Sequence, residues 1–258
     1  MESLREKEAF ICDMDGVIYH GNQLLPGAIE FLNWIEETGK KFLFLTNSSE
    51  RTPRELREKL IRLGVEVSEK SFYTSALATA DFLATQTPAG SAYVIGEAGI
   101  INALYEAGYS MNDMNPDYVV VGDTRKYSYH QIEHAVKLVM NGSRLIGTNS
   151  DLTGPIENGI APATGALIAP IELSTGSKAY FVGKPNPLIM RNAMKKLGVR
   201  AEAVAIIGDR MDTDIIAGVE SELTTVLVLS GVTAMADLPK FAYRPNYILN
   251  GIGDVVNS

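Results

Sequence analysis

Three stretches of this chain, "KFLFLTN" at 41–47, "AVAIIGD" at 203–209 and "TTVLVLSG" at 224–231, are apolar on successive residues instead of alternate ones. A strand with one wet face alternates, whereas a run apolar throughout must be covered on both faces, as in a parallel sheet flanked by helices. Between such runs lie segments with helical spacing. Residues 27–39 place Ala28, Phe31, Leu32 and Ile35 on one face, and Gly39 suits the left-handed position that ends a helix. "TPRELREKLIRLG" at 52–64 carries a capping box, with Thr52 as N-cap, Pro53 at the first helical position and Glu55 at the third. Asn186, Pro187 and Gly198 frame another helix in the same way. Strand and helix in alternation predict an α/β fold with a parallel sheet.

"AFIC" at 9–12 is the first strand expected, and "AYVIGE", "DYVVVGD", "RLIGTN" and "GALIAPIE" continue the series. "TQTPAGS" at 85–91 and "STGSK" at 174–178 have linker composition and bracket about a hundred residues, a small-domain length. The expected organisation is a Rossmann-like parallel-sheet core domain, residues 1–86 and 183–258, interrupted by a smaller α/β domain at 87–182.

The ends of the buried runs carry the chemistry. "FIC" ends in Asp13-Met14-Asp15-Gly16, "FLFL" in Thr46-Asn47, and "AVAIIG" in Asp209, with Asp214 five residues on. Any one of these alone is a turn residue, a cap or a loop start, and Lys184 in "VGKPNP" alone is a surface lysine. In an open parallel sheet, however, ligands bind outside the carboxyl ends of the strands. If these strands are neighbours, the carboxylates meet in one crevice and repel one another unless a cation or proton is shared. Asp13 and Asp209 could share a divalent cation, and all-oxygen ligation suits Mg²⁺.

At these residues the chain resembles the haloacid dehalogenase superfamily of phosphoryl-transfer enzymes. Its four ordered motifs are all present: DxD as "DMDGV" at 13–17, a Ser or Thr as Thr46 in "LTN", a Lys as Lys184 in "GKPNP", and GDxxxxD as "GDRMDTD" at 208–214. "DGVIYHGNQLLPGA", "FYTSALATADFL", "VGKPNP" and "LVLSGV" are similar to the NagD-type phosphatases, subfamily IIA, over nearly the whole chain. The resemblance implies a Mg²⁺-dependent phosphatase that acts on small phosphorylated metabolites, such as sugar phosphates, nucleoside monophosphates and p-nitrophenyl phosphate, through an aspartyl-phosphate. It assigns Asp13 as nucleophile and Asp15 as acid and then base. Asp13, Asp209 and the Asp15 carbonyl become metal ligands, Thr46 and the Asn47 amide hold the phosphoryl oxygens, and Lys184 neutralises charge. Asp214 is expected to orient Lys184 or a metal-bound water. The inserted domain matches the α/β cap of this subgroup, with its loop 148–166 expected to face the substrate and Asp151 a candidate to meet sugar hydroxyls. A phosphomutase or other phosphotransferase of the same superfamily, or a silent metabolite-binding regulator, are the alternatives. The intact Asp13, Asp15, Lys184 and Asp209 weigh against the last.

Composition narrows the partners. A net charge of −8 opposes nucleic acid and anionic membrane as partners, since both call for a basic face. No stretch reaches the roughly 18 apolar residues of a membrane span, and the charged start "MESLREKEAF" has no signal-peptide core. A cytoplasmic protein is expected, and an apolar cap surface could support a homodimer. The one cysteine, Cys12, forms no internal disulfide and reads as a buried small residue. His20, His130 and His134 do not cluster, so a histidine metal site is not expected.

Overall fold

The computed structural model describes residues 2–156 and 159–257. The chain divides into two compact units: residues 1–46, 57–73 and 184–258 form the first, and residues 47–56 and 74–183 the second. Among the described residues no helix is long and apolar enough to cross a membrane.

The first unit is built on a six-stranded sheet in the order Tyr247–Leu249, Thr224–Val228, Val204–Gly208, Ala9–Cys12, Lys41–Thr46, Phe72–Thr74. Ala9–Cys12 runs parallel to both its neighbours, with Cys12 opposite Ile207 on one side and Phe44 on the other. The continuous apolar runs are the central strands, and all of Ala9–Cys12 and Val204–Gly208 is buried. From the first strand the chain builds outward one way, then returns after the insertion and builds outward the other way. The strand order therefore reverses beside Ala9–Cys12, and the crevice for a ligand opens at the carboxyl end of that strand.

The helices form where the sequence places them. Ala28–Glu37 buries Ala28, Phe31 and Ile35. Phe31 and Trp34 meet Phe10 edge-on, with ring centroids at 5.9 and 5.4 Å. Gly39 takes a φ of 65°, which an L side chain resists. The Thr52–Glu55 capping box is closed in both directions: Glu55 N donates to Thr52 Oγ1 at 3.2 Å and Thr52 N to Glu55 Oε2 at 2.8 Å. Asn186 caps Pro187–Leu197, and Gly198 ends it at φ 63°.

The second unit carries a five-stranded sheet in the order Tyr180–Phe181, Arg144–Gly147, Tyr118–Val121, Ser91–Ile95, Ser110–Met111, parallel throughout. Two features differ from expectation. "GALIAPIE" is not a strand; it lies within the helix Thr164–Thr175, which contains Pro170 and buries Leu167, Ile168 and Ile171 against the sheet. A continuous apolar run satisfies a helix buried along its length as well as a strand buried on both faces, so pattern alone does not separate them. The helix Ser75–Gln86, which linker composition put before the insertion, belongs to the second unit. Tyr109 fastens it there: its hydroxyl lies 2.7 Å from both the Leu83 and Thr87 carbonyl oxygens. Within the loop 148–166, Thr153–Ile156 and Gly159–Pro162 pair as an antiparallel hairpin, and residues 157 and 158 lie outside the described residues.

Candidate active site

In the first unit, Asp13 leaves the central strand with its amide still bonded to Ile207 O at 2.9 Å, so its backbone is fixed by the neighbouring strand. Lys184 reaches the same point. Its Nζ donates to Asp13 Oδ1 at 2.7 Å, to Asp214 Oδ1 at 2.6 Å and to the Leu45 carbonyl at 2.8 Å, which uses all three of its protons. Lys184 is 2% exposed and Asp214 1%. Burial lowers the pKa of Lys184, but the two carboxylates outweigh it and raise it well above the ordinary range. The lysine is therefore a fixed positive charge.

Asp209 stands on the other side of Asp13, at the end of Val204–Gly208. Its Oδ2 accepts from Val232 N at 2.7 Å, and its carbonyl accepts from Thr233 N at 3.1 Å. Two glycines make room for it. A Cβ on Gly16 would come within 2.5 Å of Asp209 Oδ2, and one on Gly231 within 2.0 Å. Ser230 Oγ ties the two glycine loops together by donating to Gly16 O at 2.7 Å. Asp214 sits on a π-helical turn, Met211–Ile215, and its Oδ2 accepts from Arg210 N at 3.1 Å.

Carboxylate oxygens of Asp13, Asp209 and Asp214 lie within 4.8 Å of one another. Three carboxylates and one lysine leave the cluster short of positive charge. Burial first, and then repulsion from Asp214, pushes Asp13 from 3.8 to about 7 against the pull of Lys184. Burial, with Asp13 and Asp214 adding to it, pushes Asp209 to about 8. Without a cation the cluster must hold protons near neutral pH. An all-oxygen donor set with excess negative charge fits a hard divalent cation, and the residues present meet that requirement.

Asp15 differs from Asp13 despite standing two residues away. It is half-exposed, its Oδ1 lies 3.4 Å from His20 Nδ1, and its backbone bridges to Tyr19. Burial raises its pKa above the ordinary value, opposed by the charges of Lys59 and His20. Thr46, buried, ends the strand Lys41–Thr46 beside the first strand. Asn47 begins the second unit; there its carbonyl accepts from Ser75 Oγ at 2.5 Å and Asn149 Nδ2 at 2.9 Å.

The structure thus gathers Asp13, Lys184, Asp209 and Asp214 in one cluster with Asp15 adjoining it in the chain. It also supplies partners that sequence reasoning missed: His20 and Lys59 around Asp15, and the Val232 amide on Asp209. Of these only the Val232 amide had a signal, the Ser230-Gly231 turn that precedes it after an apolar run. Cys12 is buried, as read, and its thiol pKa is pushed up by burial first and then by Asp13. Asp151, the candidate to meet sugar hydroxyls, is tied to its own unit: its Oδ2 accepts from Asn47 Nδ2 at 3.0 Å and its amide donates to Asn149 Oδ1 at 3.1 Å.

Comparison with known proteins places this geometry. Residues 10–110 match the family described as haloacid dehalogenase-like hydrolase, and residues 181–255 match one described as HAD-hydrolase-like. The chain is 44% identical over 245 residues to the ribonucleotide monophosphatase NagD of Escherichia coli strain K12, covering 95% of this chain and 96% of that protein. It is 43% identical over 249 residues to the dihydroxyacetone phosphatase of Corynebacterium glutamicum strain R, covering 96% and 90%. Among solved structures, a 4-nitrophenylphosphatase from Thermotoga maritima superposes with a TM-score of 0.95 at 33% identity, over 99% of this chain and 98% of that one.

Proposed function

We propose that this chain, which belongs to the haloacid dehalogenase-like hydrolases and is a phosphatase of their NagD type, hydrolyses small phosphorylated metabolites in the cytoplasm with Asp13 as nucleophile and Mg²⁺ as cofactor. The observation that carries the assignment of roles is the contrast between the two aspartates. Asp13 is held by a permanently charged lysine within a buried carboxylate cluster, while Asp15 is half-exposed beside His20. A nucleophile must be anionic and fixed; an acid that becomes a base must exchange its proton.

In this reading Asp13 Oδ attacks phosphorus and the P–O bond to the leaving group breaks. Asp15 gives its proton to the departing oxygen. It then takes a proton from the water that attacks the aspartyl-phosphate, so phosphate leaves and both aspartates return to their starting states. Lys184 stays charged throughout and balances the oxygens gathered around Asp13. The Thr46 hydroxyl and the Asn47 amide donate to the transferring phosphoryl group. Asp214 positions Lys184, to which it is bonded at 2.6 Å. Asp13, Asp209 and the Asp15 carbonyl would hold the cation, which when bound supplies positive charge for the phosphoryl oxygens and keeps Asp13 ionised. The second unit, inserted where this subgroup carries its cap, is assigned the choice of leaving group. The related proteins are named dihydroxyacetone phosphatase, ribonucleotide monophosphatase and acid sugar phosphatase, which points to a compact phosphomonoester as substrate.

Asp15→Asn tests the acid role. An amide cannot protonate a leaving oxygen, so kcat/KM is expected to fall more for an alkyl phosphate than for p-nitrophenyl phosphate, whose leaving group departs as a stable anion. Equal losses on both substrates would remove Asp15 from that role.

The cation assignment has a signature in stability. Folded Asp13 and Asp209 titrate near 7 and 8, against 3.8 unfolded, so between those values the folded state holds more protons than the unfolded one. Stability must then fall as pH rises from about 4 to about 8. In a chelator, the thermal midpoint of the protein is expected to drop between about pH 5 and pH 8. Mg²⁺ should raise it more at the higher pH, where protons no longer compete, and Asp209→Asn should flatten the slope. A midpoint equally responsive to Mg²⁺ at both pH values would contradict the assigned ligands.

A further inference from the structure

In the second unit, a buried polar cluster surrounds Asp123, at the end of the apolar run "DYVVVG". Its Oδ2 accepts from Ser49 N at 3.0 Å and Ser49 Oγ at 3.1 Å, and its Oδ1 accepts from Thr164 Oγ1 at 2.8 Å and Thr164 N at 3.2 Å. The Asp123 amide donates back to Ser49 Oγ at 2.8 Å. Ser49, Thr148 and Thr164 are wholly buried, and Asn149 is 1% exposed. Thr148 Oγ1 adds a bond to Ser49 Oγ at 3.0 Å, and Asn149 Nδ2 one to Thr164 Oγ1 at 3.3 Å. A carboxylate receiving five donors, Asn149 Nδ2 at 3.4 Å being the fifth, is costly to leave half-satisfied, so the cluster behaves as one rigid object.

What this object holds is specific. Asn149 Nδ2 donates to Asn47 O at 2.9 Å, and Ser75 Oγ donates to the same carbonyl at 2.5 Å. Asp151, itself bonded to Asn149 Oδ1, takes the Asn47 side chain. The Gly183 amide donates to Thr148 O at 2.8 Å, and a Cβ on Gly183 would come within 2.7 Å of Asn47 Oδ1. Asn47 directly follows Thr46, and Gly183 directly precedes Lys184. The two peptides that flank the phosphate-binding residues are thus clamped side by side by a single cluster.

We propose that Asp123 is a positioning residue for phosphoryl transfer: through Ser49, Thr164 and Asn149 it pins the carbonyl and the side chain of Asn47, and so restricts the residue whose N–H is aimed before substrate arrives. The inference rests on the reading above that this N–H binds a phosphoryl oxygen. Preorganised donors act because their orientation need not be found during the reaction, so a loosened donor lowers the rate without removing any group that touches substrate.

Two variants reach the Asn47 peptide by separate routes. Asp123→Ala dissolves the cluster, whereas Ser75→Ala removes one bond to the Asn47 carbonyl and spares Asp123. Each is assayed with p-nitrophenyl phosphate for kcat, for competitive inhibition by inorganic phosphate, and for the Mg²⁺ concentration giving half activity. All rates are divided by the folded fraction at the assay temperature. The expected result is a fall in kcat of about tenfold or more for Asp123→Ala and a smaller fall for Ser75→Ala. Inhibition by phosphate should weaken in both, and the Mg²⁺ midpoint should stay within about twofold, because no proposed metal ligand is touched. If kcat per folded molecule and phosphate inhibition stay within about twofold of the parent protein in both variants, the proposal is overturned. It is equally overturned if Asp123→Ala only lowers the folded fraction and Ser75→Ala is unaltered. A parent protein that releases no phosphate would instead overturn the phosphatase reading.

Discussion

Asp13→Asn is expected to abolish phosphate release, by more than about a thousandfold in kcat, while the protein stays folded. An amide cannot attack phosphorus, and a residual rate would have to come from water acting without a covalent intermediate. The substitution should not cost stability. The amide has the shape of the carboxyl, its oxygen can still accept the 2.7 Å bond from Lys184, and one negative charge leaves a cluster of three carboxylates. In a chelator the variant should therefore melt at or above the temperature of the parent protein. Loss of activity with gain of stability is the mark of a group kept for chemistry. Turnover above a few per cent of the parent rate would take Asp13 out of the nucleophile role.

Lys184→Met should do the opposite to stability. Methionine fills a similar volume but donates no hydrogen bond, leaving Asp13, Asp214 and the Leu45 carbonyl without the partner they share. Removing one side of a buried ion pair typically costs about 3–5 kcal/mol, because the remaining charge is buried uncompensated. With two carboxylates relying on one lysine, the upper part of that range is expected. Turnover should be lost as well, since Asp13 would hold its proton at neutral pH. The destabilisation should shrink at low pH, where Asp13, already pushed up to about 7 by burial, is protonated, and chemical denaturation at two pH values measures this. A variant that unfolds at the same denaturant concentration as the parent at neutral pH would show that the lysine is not the counter-charge described here.

Much of this was legible in the residues. Strands buried on both faces announce themselves as continuous apolar runs, and a polar residue at the end of such a run is conspicuous. Asp13, Thr46 and Asp209 could therefore be read as strand ends before any strand was seen. What a sequence does not state is adjacency. Val204–Gly208 lies beside Ala9–Cys12 although nearly the whole chain separates them, and only that pairing makes Asp209 a neighbour of Asp13. His20 and the Val232 amide were missed for the same reason, since their roles exist only through contacts made on folding. "GALIAPIE" was misread because burial erases the periodicity that separates helix from strand. The Asp123 cluster carries the same signature in the second sheet: "DYVVVGD" and "RLIGTN" end in polar residues just as "FIC" does.

The most direct test of the division between the two aspartates is a pre-steady-state burst on Asp15→Asn with p-nitrophenyl phosphate. The leaving group needs no proton, so Asp13 should still be phosphorylated, whereas attack by water on the aspartyl-phosphate has lost its base. The account predicts a rapid release of one p-nitrophenolate per active site followed by slow turnover, with the phosphoryl group recovered by mass spectrometry on the peptide containing Asp13. Linear release without a burst, or a phosphoryl group on any other residue, would contradict it.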